Sequence, residues 1–268
     1  MIVWFRSVTT PTLQRLSLLP PALCLTLVGC AARDASLSPT GGPLRDQMHQ
    51  RTFELGGSVK GTPLELEIFG NGPDAMLIFG GIHGDEPTSA TVALALLSHL
   101  REHPEVCAGR TIAVLPVANP DGLAAGTRGN AHGVDLNRNF PANNWKKNGK
   151  RNGAAPASEP ETQALMRALL VVQPNRIVSI HSIDRGRHCN NYDGPAATLA
   201  SHMAEHNGYE VKPTMGYPTP GSFGSWAGID RGIPTITLEL PADASGAQCW
   251  EENRDALLAF IAGGESAE

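Results

Sequence analysis

The stretch "AMLIFGGI", residues 75–82, constrains this chain more than any other feature. A continuous apolar run of that length suits a strand buried on both faces, the kind that lies at the centre of an α/β sheet. The theme recurs. "RTIAVLPVAN" (110–119), "RIVSIHS" (176–182) and "IPTITLEL" (233–240) read as further buried strands, and "LELEIF" (64–69) alternates as a half-buried strand does. Helical periods stand between and after them. "TSATVALALLSHLREH" takes Thr88 or Ser89 as its N-cap, and "SEPETQALMRALLVV" opens on the capping-box spacing Ser158 to Glu161. "AATLASHMAEHN" and a closing "EENRDALLAFIAG" complete the set. The alternation predicts an α/β domain: a mixed, mainly parallel twisted sheet with helices on both faces. A hydrophobic fraction of 41% against 18% charged residues supplies enough apolar surface for such a core and excludes a disordered chain. Net charge is −5 with no basic stripe, which excludes a nucleic-acid interface.

In open α/β sheets ligands bind beyond the carboxyl ends of the strands, and polar residues gather there. His83 and Glu86 follow one central strand in "HGDE", His181 ends another, and Glu239 sits near the end of a third. Two imidazoles and one carboxylate are a common ligand set for catalytic zinc, leaving a coordination position for water. Glu239 would then serve as the base that takes the water's proton. Each piece has a plainer reading: H-x-x-E recurs by chance, His181 fits a hydrogen-bonded core histidine, and Glu239 fits a strand-end carboxylate paired with an arginine. The loop "NPDGLAAGTRGNAHGVDLNRNFP" (119–141) favours chemistry, because it brings Arg128, Asp135, Asn137 and Arg138 into one Gly-rich turn region. Arginines beside a zinc cleft suit a substrate that presents a carboxylate and develops an oxyanion.

Taken in order, H-G-D-E, N-P-D-G, G-V-D-L-N-R-N-F-P, S-I-H-S and T-L-E-L resemble the M14 family of zinc carboxypeptidases over roughly residues 50 to 262. Within it, "GTRGN", "DLNRNFP" and "GYPTPGSFGSW" are similar to the bacterial murein peptide amidase A branch. The resemblance implies one Zn²⁺ per chain held by His83, Glu86 and His181, with Glu239 as general base and acid. It implies that Arg128 polarises the scissile carbonyl, that Asn137 and Arg138 grip the substrate's terminal carboxylate, and that Asp135 orients the first zinc histidine. Tyr217 aligns with a mobile tyrosine that closes over substrate, and Asp85 is left as a turn residue. The implied partner is a small carboxylate-terminated peptide from peptidoglycan, of the γ-D-Glu–diaminopimelate type. A diaminopimelate side chain needs polar partners, for which Asp184, Arg185 and Arg187 are the nearest charged candidates by sequence. Two other functions compete: an N-acyl amino acid deacylase of the aspartoacylase and succinylglutamate desuccinylase type, to which "TITLELP" is less similar, and a non-catalytic peptidoglycan-binding lipoprotein, which loss of a ligand or the base would have favoured.

The first thirty residues differ from the rest. Arg6 and Arg15 precede the apolar "LSLLPPALCLTLVGC", which is too short and Pro-interrupted for a comfortable membrane span but fits the apolar region of a secretory signal. Its end, "LVGC", resembles a bacterial lipobox, which implies cleavage before Cys30 and lipidation of that cysteine. Residues 1–29 are therefore expected to be a lipoprotein signal peptide, 30–50 a Ser-, Pro- and Gly-rich tether, and 51–268 the catalytic domain. Periplasmic exposure and a lipid anchor, with the outer membrane favoured by Ala31, follow from that expectation; the murein amidases of the resemblance act in the cytoplasm. Cys107, Cys189 and Cys249 cannot all pair within one chain, so at least one is a thiol.

Overall fold

The computed structural model describes residues 50–184 and 186–263. The expected signal peptide, Cys30 and all of the expected tether but Gln50 lie outside these residues. In chain order the elements are β1 (Gln50–Gly57), β2 (Pro63–Gly70), β3 (Asp74–Phe79), α1 (Pro87–Glu102), β4 (Arg110–Leu115), α2 (Pro120–Ala125), α3 (Pro160–Val172), β5 (Arg176–Ile183), β6 (Cys189–Asp193), α4 (Ala197–Asn207), β7 (Glu210–Lys212), β8 (Thr235–Pro241) and α5 (Gly246–Ala262). The strands form one eight-stranded sheet in the order β1-β2-β4-β3-β5-β8-β6-β7. Its centre, β4-β3-β5-β8, is parallel, and β6 pairs in parallel with β7. The pairs β1-β2, β2-β4 and β6-β8 are antiparallel.

Both faces of β3 are buried, as its unbroken apolar run requires. Met76 and Ile78 pack with Val92 and Leu96 of α1 and with Leu257 and Phe260 of α5. Leu77 and Phe79 face the other way, onto Leu165 and Ala168 of α3 and onto Phe223 and Trp226. Helices thus cover both faces, and no helix among the described residues is long and apolar enough to cross a membrane.

Several local details depart from the sequence reading. β1, β6 and β7 carry no clear apolar alternation and were not anticipated. The turn-forming stretch after β4 contains the short helix α2, capped by Asn119, whose side chain accepts from the Gly122 amide. The caps at Thr88 or Ser89 and at Ser158 do not form: the N-caps are Glu86 and Glu159, because Pro87 and Pro160 start the helices. Ser89 instead donates from Oγ to the Glu86 carbonyl (2.7 Å) and accepts from the Gly81 amide (3.0 Å). Glu161 is drawn away to accept from the Val59 amide (3.0 Å) and the Asn130 side chain (2.9 Å). The capping box that does form is Ser245 with Gln248, and α5 starts at Gly246, five residues ahead of the expected Glu251.

Candidate active site

β3 ends at Phe79, and Gly81, at φ 62°, turns the chain off the sheet toward α1. The turn passes so close to α2 that a Cβ on Gly84 would fall 1.9 Å from the Gly122 carbonyl carbon, which leaves only glycine for that position. This packing aims His83 and Glu86 back over the ends of the parallel strands. His181 arrives from β5, the strand beside β3, and its neighbour in register on β8 is Glu239. One donor atom from each of His83, Glu86 and His181 lies within 4.8 Å of the others, and all three side chains are buried.

The Glu86 carboxylate holds the group together. Oε1 lies 2.7 Å from His83 Nδ1, and Oε2 lies 3.0 Å from His181 Nδ1 and accepts from the Ser182 amide at 3.1 Å. Asp135 takes the outer side of His83, with Oδ1 3.1 Å from Nε2, the arrangement that fixes ring orientation in metal-binding imidazoles. Burial opposes charge at His83 and Glu86, yet mutual attraction wins there. His83 is held up to about 9 against its burial by Glu86 and Asp135, and Glu86 is held well below the usual carboxylate range by the two imidazoles. A pocket with that much negative field and two convergent imidazole nitrogens suits a divalent cation in place of the shared protons. The donor set of two nitrogens and one carboxylate oxygen fits zinc. Glu239 differs: no hydrogen bond to its carboxylate is seen among the described residues, and burial raises its pKa above the ordinary value.

The other sequence candidates converge on the same pocket, which Arg128, Asn137, Arg138 and Tyr217 all line. Arg128 donates from Nη1 to Glu86 Oε1 (3.0 Å) and from Nε to Asp135 Oδ2 (3.2 Å), so it stands against the ligand group itself. Asn137 accepts the Phe223 amide on Oδ1 (2.8 Å), which directs its amide nitrogen elsewhere, and Arg138 is buried beside it. Tyr217 is 44% exposed at the mouth, with the Arg187 guanidinium 5.9 Å over its ring. Asp184 and Arg187 are exposed and do not line the pocket, and Arg185 is outside the described residues. The lining instead includes Ser179, Thr237, Asn191, Asp193 and Gly224. Ser179 and Thr237 stand two residues before His181 and Glu239 and so share their face of the sheet; that signal was present in the sequence. Asn191 and Asp193 belong to β6, which the sequence did not reveal. Cys107, Cys189 and Cys249 are buried thiols, each pushed up to about 11 by burial.

Comparison with known proteins agrees with this geometry. The zinc carboxypeptidase pattern of the peptidase M14 family matches residues 46–192. The chain belongs to the zinc carboxypeptidase family. Murein peptide amidase A of Escherichia coli K12 is 36% identical over 222 residues, covering 72% of this chain and 83% of that protein. The same-named protein of Vibrio campbellii is 33% identical over 228 residues, covering 77% and 85%. The crystal structure of murein-tripeptide amidase from Escherichia coli O157 superimposes with a TM-score of 0.64 at 33% identity, covering 80% of this chain and 93% of that one. Bovine thrombin-activatable fibrinolysis inhibitor shares the fold with a TM-score of 0.69 at 20% identity. As a member of this family the protein is a hydrolase, a metallopeptidase of the carboxypeptidase class.

Proposed function

We propose that the protein, with one zinc ion per chain held by His83, Glu86 and His181, hydrolyses the bond before a carboxylate-terminated residue in small peptidoglycan-derived peptides, the γ-D-glutamyl–diaminopimelate bond among them. The observation that carries this reading is the pairing of His181 with Glu239 across β5 and β8, inside one pocket that also holds Arg138. The murein substrate class is supported by the relatives' names and extent of match.

A bound zinc ion supplies Lewis acidity toward the scissile carbonyl and the attacking water. The chain's residues do the rest. Glu239, with its pKa raised by burial, is poised to accept a proton from that water and return it to the leaving nitrogen. Arg128 offers a fixed positive charge where the carbonyl oxygen becomes an oxyanion. Arg138, with Asn137, takes the terminal carboxylate through a guanidinium fork, and this sets the register of the cut. Asp135 keeps His83 oriented. Tyr217, at the mouth, closes over bound substrate.

The test is to incubate zinc-loaded protein with L-Ala-γ-D-Glu-meso-diaminopimelate, with ordinary dipeptides and with their C-terminal amides, and to identify the released amino acids. Release of free diaminopimelate is expected, with the amides poor substrates. Equal rates for acids and amides would instead favour an N-acyl amino acid deacylase.

We also propose that cleavage before Cys30 and lipidation of that cysteine anchor the protein on the periplasmic side of a bacterial membrane, the outer membrane by preference. The support is the composition of residues 1–30 and the "LVGC" sequence. Labelled fatty acid should enter the wild type and not the Cys30→Ala variant. Equal labelling of both, or a membrane-bound wild type without lipid, would sink the anchor.

A further inference from the structure

We infer that Asn130 is a positioning residue for Arg128: buried beneath the loop from 128 to 135, it fixes where that guanidinium stands. The inference rests on the peptidase reading for what Arg128 does, but the bonds that argue it involve no zinc ligand. Arg128 needs such support. Its side chain is 42% exposed, and its two side-chain bonds go to Glu86 and Asp135, both of which also hold His83. Packing around the guanidinium therefore does not place it, and the backbone must.

Between Arg128 and Asp135 the chain closes on itself. The Asn130 amide donates to the Val134 carbonyl (3.0 Å), and the Gly133 amide donates back to the Asn130 carbonyl (2.8 Å). Asn130 Oδ1 accepts from the amides of His132 (3.1 Å) and Val134 (3.2 Å). Asn130 Nδ2 donates to Glu159 Oε2 (2.8 Å) and to Glu161 Oε2 (2.9 Å) at the start of α3. Both donors and both acceptor sites of the side chain are thus in use. Aspartate here would set a third carboxylate against two buried ones, and a shorter side chain would not reach them.

The anchor is itself fixed. Glu161 also accepts from the Val59 amide (3.0 Å); Glu159 accepts from Ser158 Oγ (2.8 Å) and lies 2.7 Å from His132 Nδ1. Burial opposes charge on Glu159, but Asn130, His132 and Ser158 hold its pKa below the ordinary value. On its other side the loop has no slack. A Cβ on Gly122 of α2 would fall 2.6 Å from the Gly129 carbonyl oxygen, and one on Gly129 would fall 2.8 Å from the Gly133 carbonyl carbon. The loop is therefore wedged between α2 and the start of α3, with Arg128 and Asp135 bonded to each other across its two ends. Arg138 is held separately, through its neighbour Asn139, whose side chain donates to the carbonyls of Asn152 and Ala155 at 2.9 Å each.

The experiment is a double-mutant cycle on the zinc-loaded protein, with Arg128→Ala, Asn130→Ala and the two combined. Asn130→Ser runs beside them and carries the test should Asn130→Ala not fold: its hydroxyl still accepts from the loop amides but does not reach Glu159 and Glu161. A misplacement of about 1 Å costs about 100-fold, so kcat should fall by about 10- to 100-fold in the Asn130 variants. Their affinity for free diaminopimelate, held through Arg138, should stay at the wild-type value. In the Arg128→Ala background the Asn130 substitution should cost no further kcat, although it still lowers the thermal midpoint. Equal losses of kcat in both backgrounds, or a wild-type kcat in a folded Asn130 variant, would overturn the inference. The Arg128 Nε–H resonance in ¹⁵N NMR, assigned by its loss in Arg128→Ala, needs no turnover. It should be protected from exchange in wild type and lose that protection in the Asn130 variants; a resonance unchanged by either substitution would overturn the inference whatever the kinetics. If the protein hydrolyses nothing, or Arg128→Ala keeps the wild-type kcat, the peptidase reading or the part of Arg128 in it falls, and the resonance alone decides for or against Asn130.

Discussion

Glu86 carries more contacts than any other residue of the site: it meets both histidines, Arg128 and the Ser182 amide, and it is the N-cap of α1. Glu239, by contrast, has burial and little else, which separates a structural carboxylate from one available to move a proton. Glu239→Gln is close to isosteric but cannot accept that proton, so kcat should fall by about 10²- to 10⁴-fold while zinc content, measured by elemental analysis, stays at one per chain. Near-normal turnover would remove Glu239 from the mechanism. Asp193 makes a second prediction, through pH. Its folded pKa is raised from 3.8 to about 6, so the native state holds the proton more tightly than the unfolded chain. The stability from this group is present below the unfolded value and is lost as pH rises through about 6. Denaturant midpoints of Asp193→Asn should therefore exceed those of wild type above that pH, with the gap closing as the solution is acidified toward 4. A gap independent of pH would mean that the carboxyl is solvated.

At the scale of elements, legibility followed how loudly each residue pattern repeats. The runs that became β3, β4, β5 and β8 are apolar on both faces and could be read directly, and they deliver His83, Glu86, His181 and Glu239 to one edge. "CNNYD" has neither an apolar alternation nor β-branched residues, so β6 was missed, and Asn191 and Asp193 with it. Its place depends on pairing with β8 across more than forty residues, information that local periodicity does not contain. Helix starts were misread for a related reason. Ser158 and Glu161 have capping-box spacing, but Glu161 is fully buried against the β1–β2 turn and the Asn130 loop, and tertiary partners outweigh a local cap. Ser245 and Gln248 have no such competitor and form the box. Ser245→Ala should accordingly lower stability by about 0.5–2 kcal/mol in urea unfolding, with peptidase activity unchanged because α5 packs on the face of the sheet opposite the pocket. A silent substitution would mean that the α5 terminus is held by packing alone.

The whole molecule is organised so that the site ties together what the sequence keeps apart. His181 meets Glu86 across 95 residues, so the ligand group clamps the β3–α1 turn onto the end of β5. At the opposite end of the same strands, Arg176 of β5 donates to Asp74 of β3 and to the Phe260 and Ile261 carbonyls near the end of α5. One end is fastened permanently by a buried guanidinium; the other is fastened by whatever occupies His83, Glu86 and His181. Two imidazoles and a carboxylate crowded within 4.8 Å hold protons in place of a cation only by bringing imidazolium charge into a buried site. Zinc held by these three residues would favour the folded arrangement over the dispersed side chains, so free zinc at 100 to 1,000 times its dissociation constant should stabilise the protein by about 2.7 to 4.1 kcal/mol. The thermal midpoint should therefore fall on chelation and recover on adding zinc. His181→Ala should abolish that response, whereas Glu239→Gln, which leaves all three donors in place, should keep it. Differential scanning fluorimetry across a zinc titration measures all three proteins together. A wild-type midpoint indifferent to zinc, or a His181→Ala variant that still responds like wild type, would remove the metal from this set of ligands.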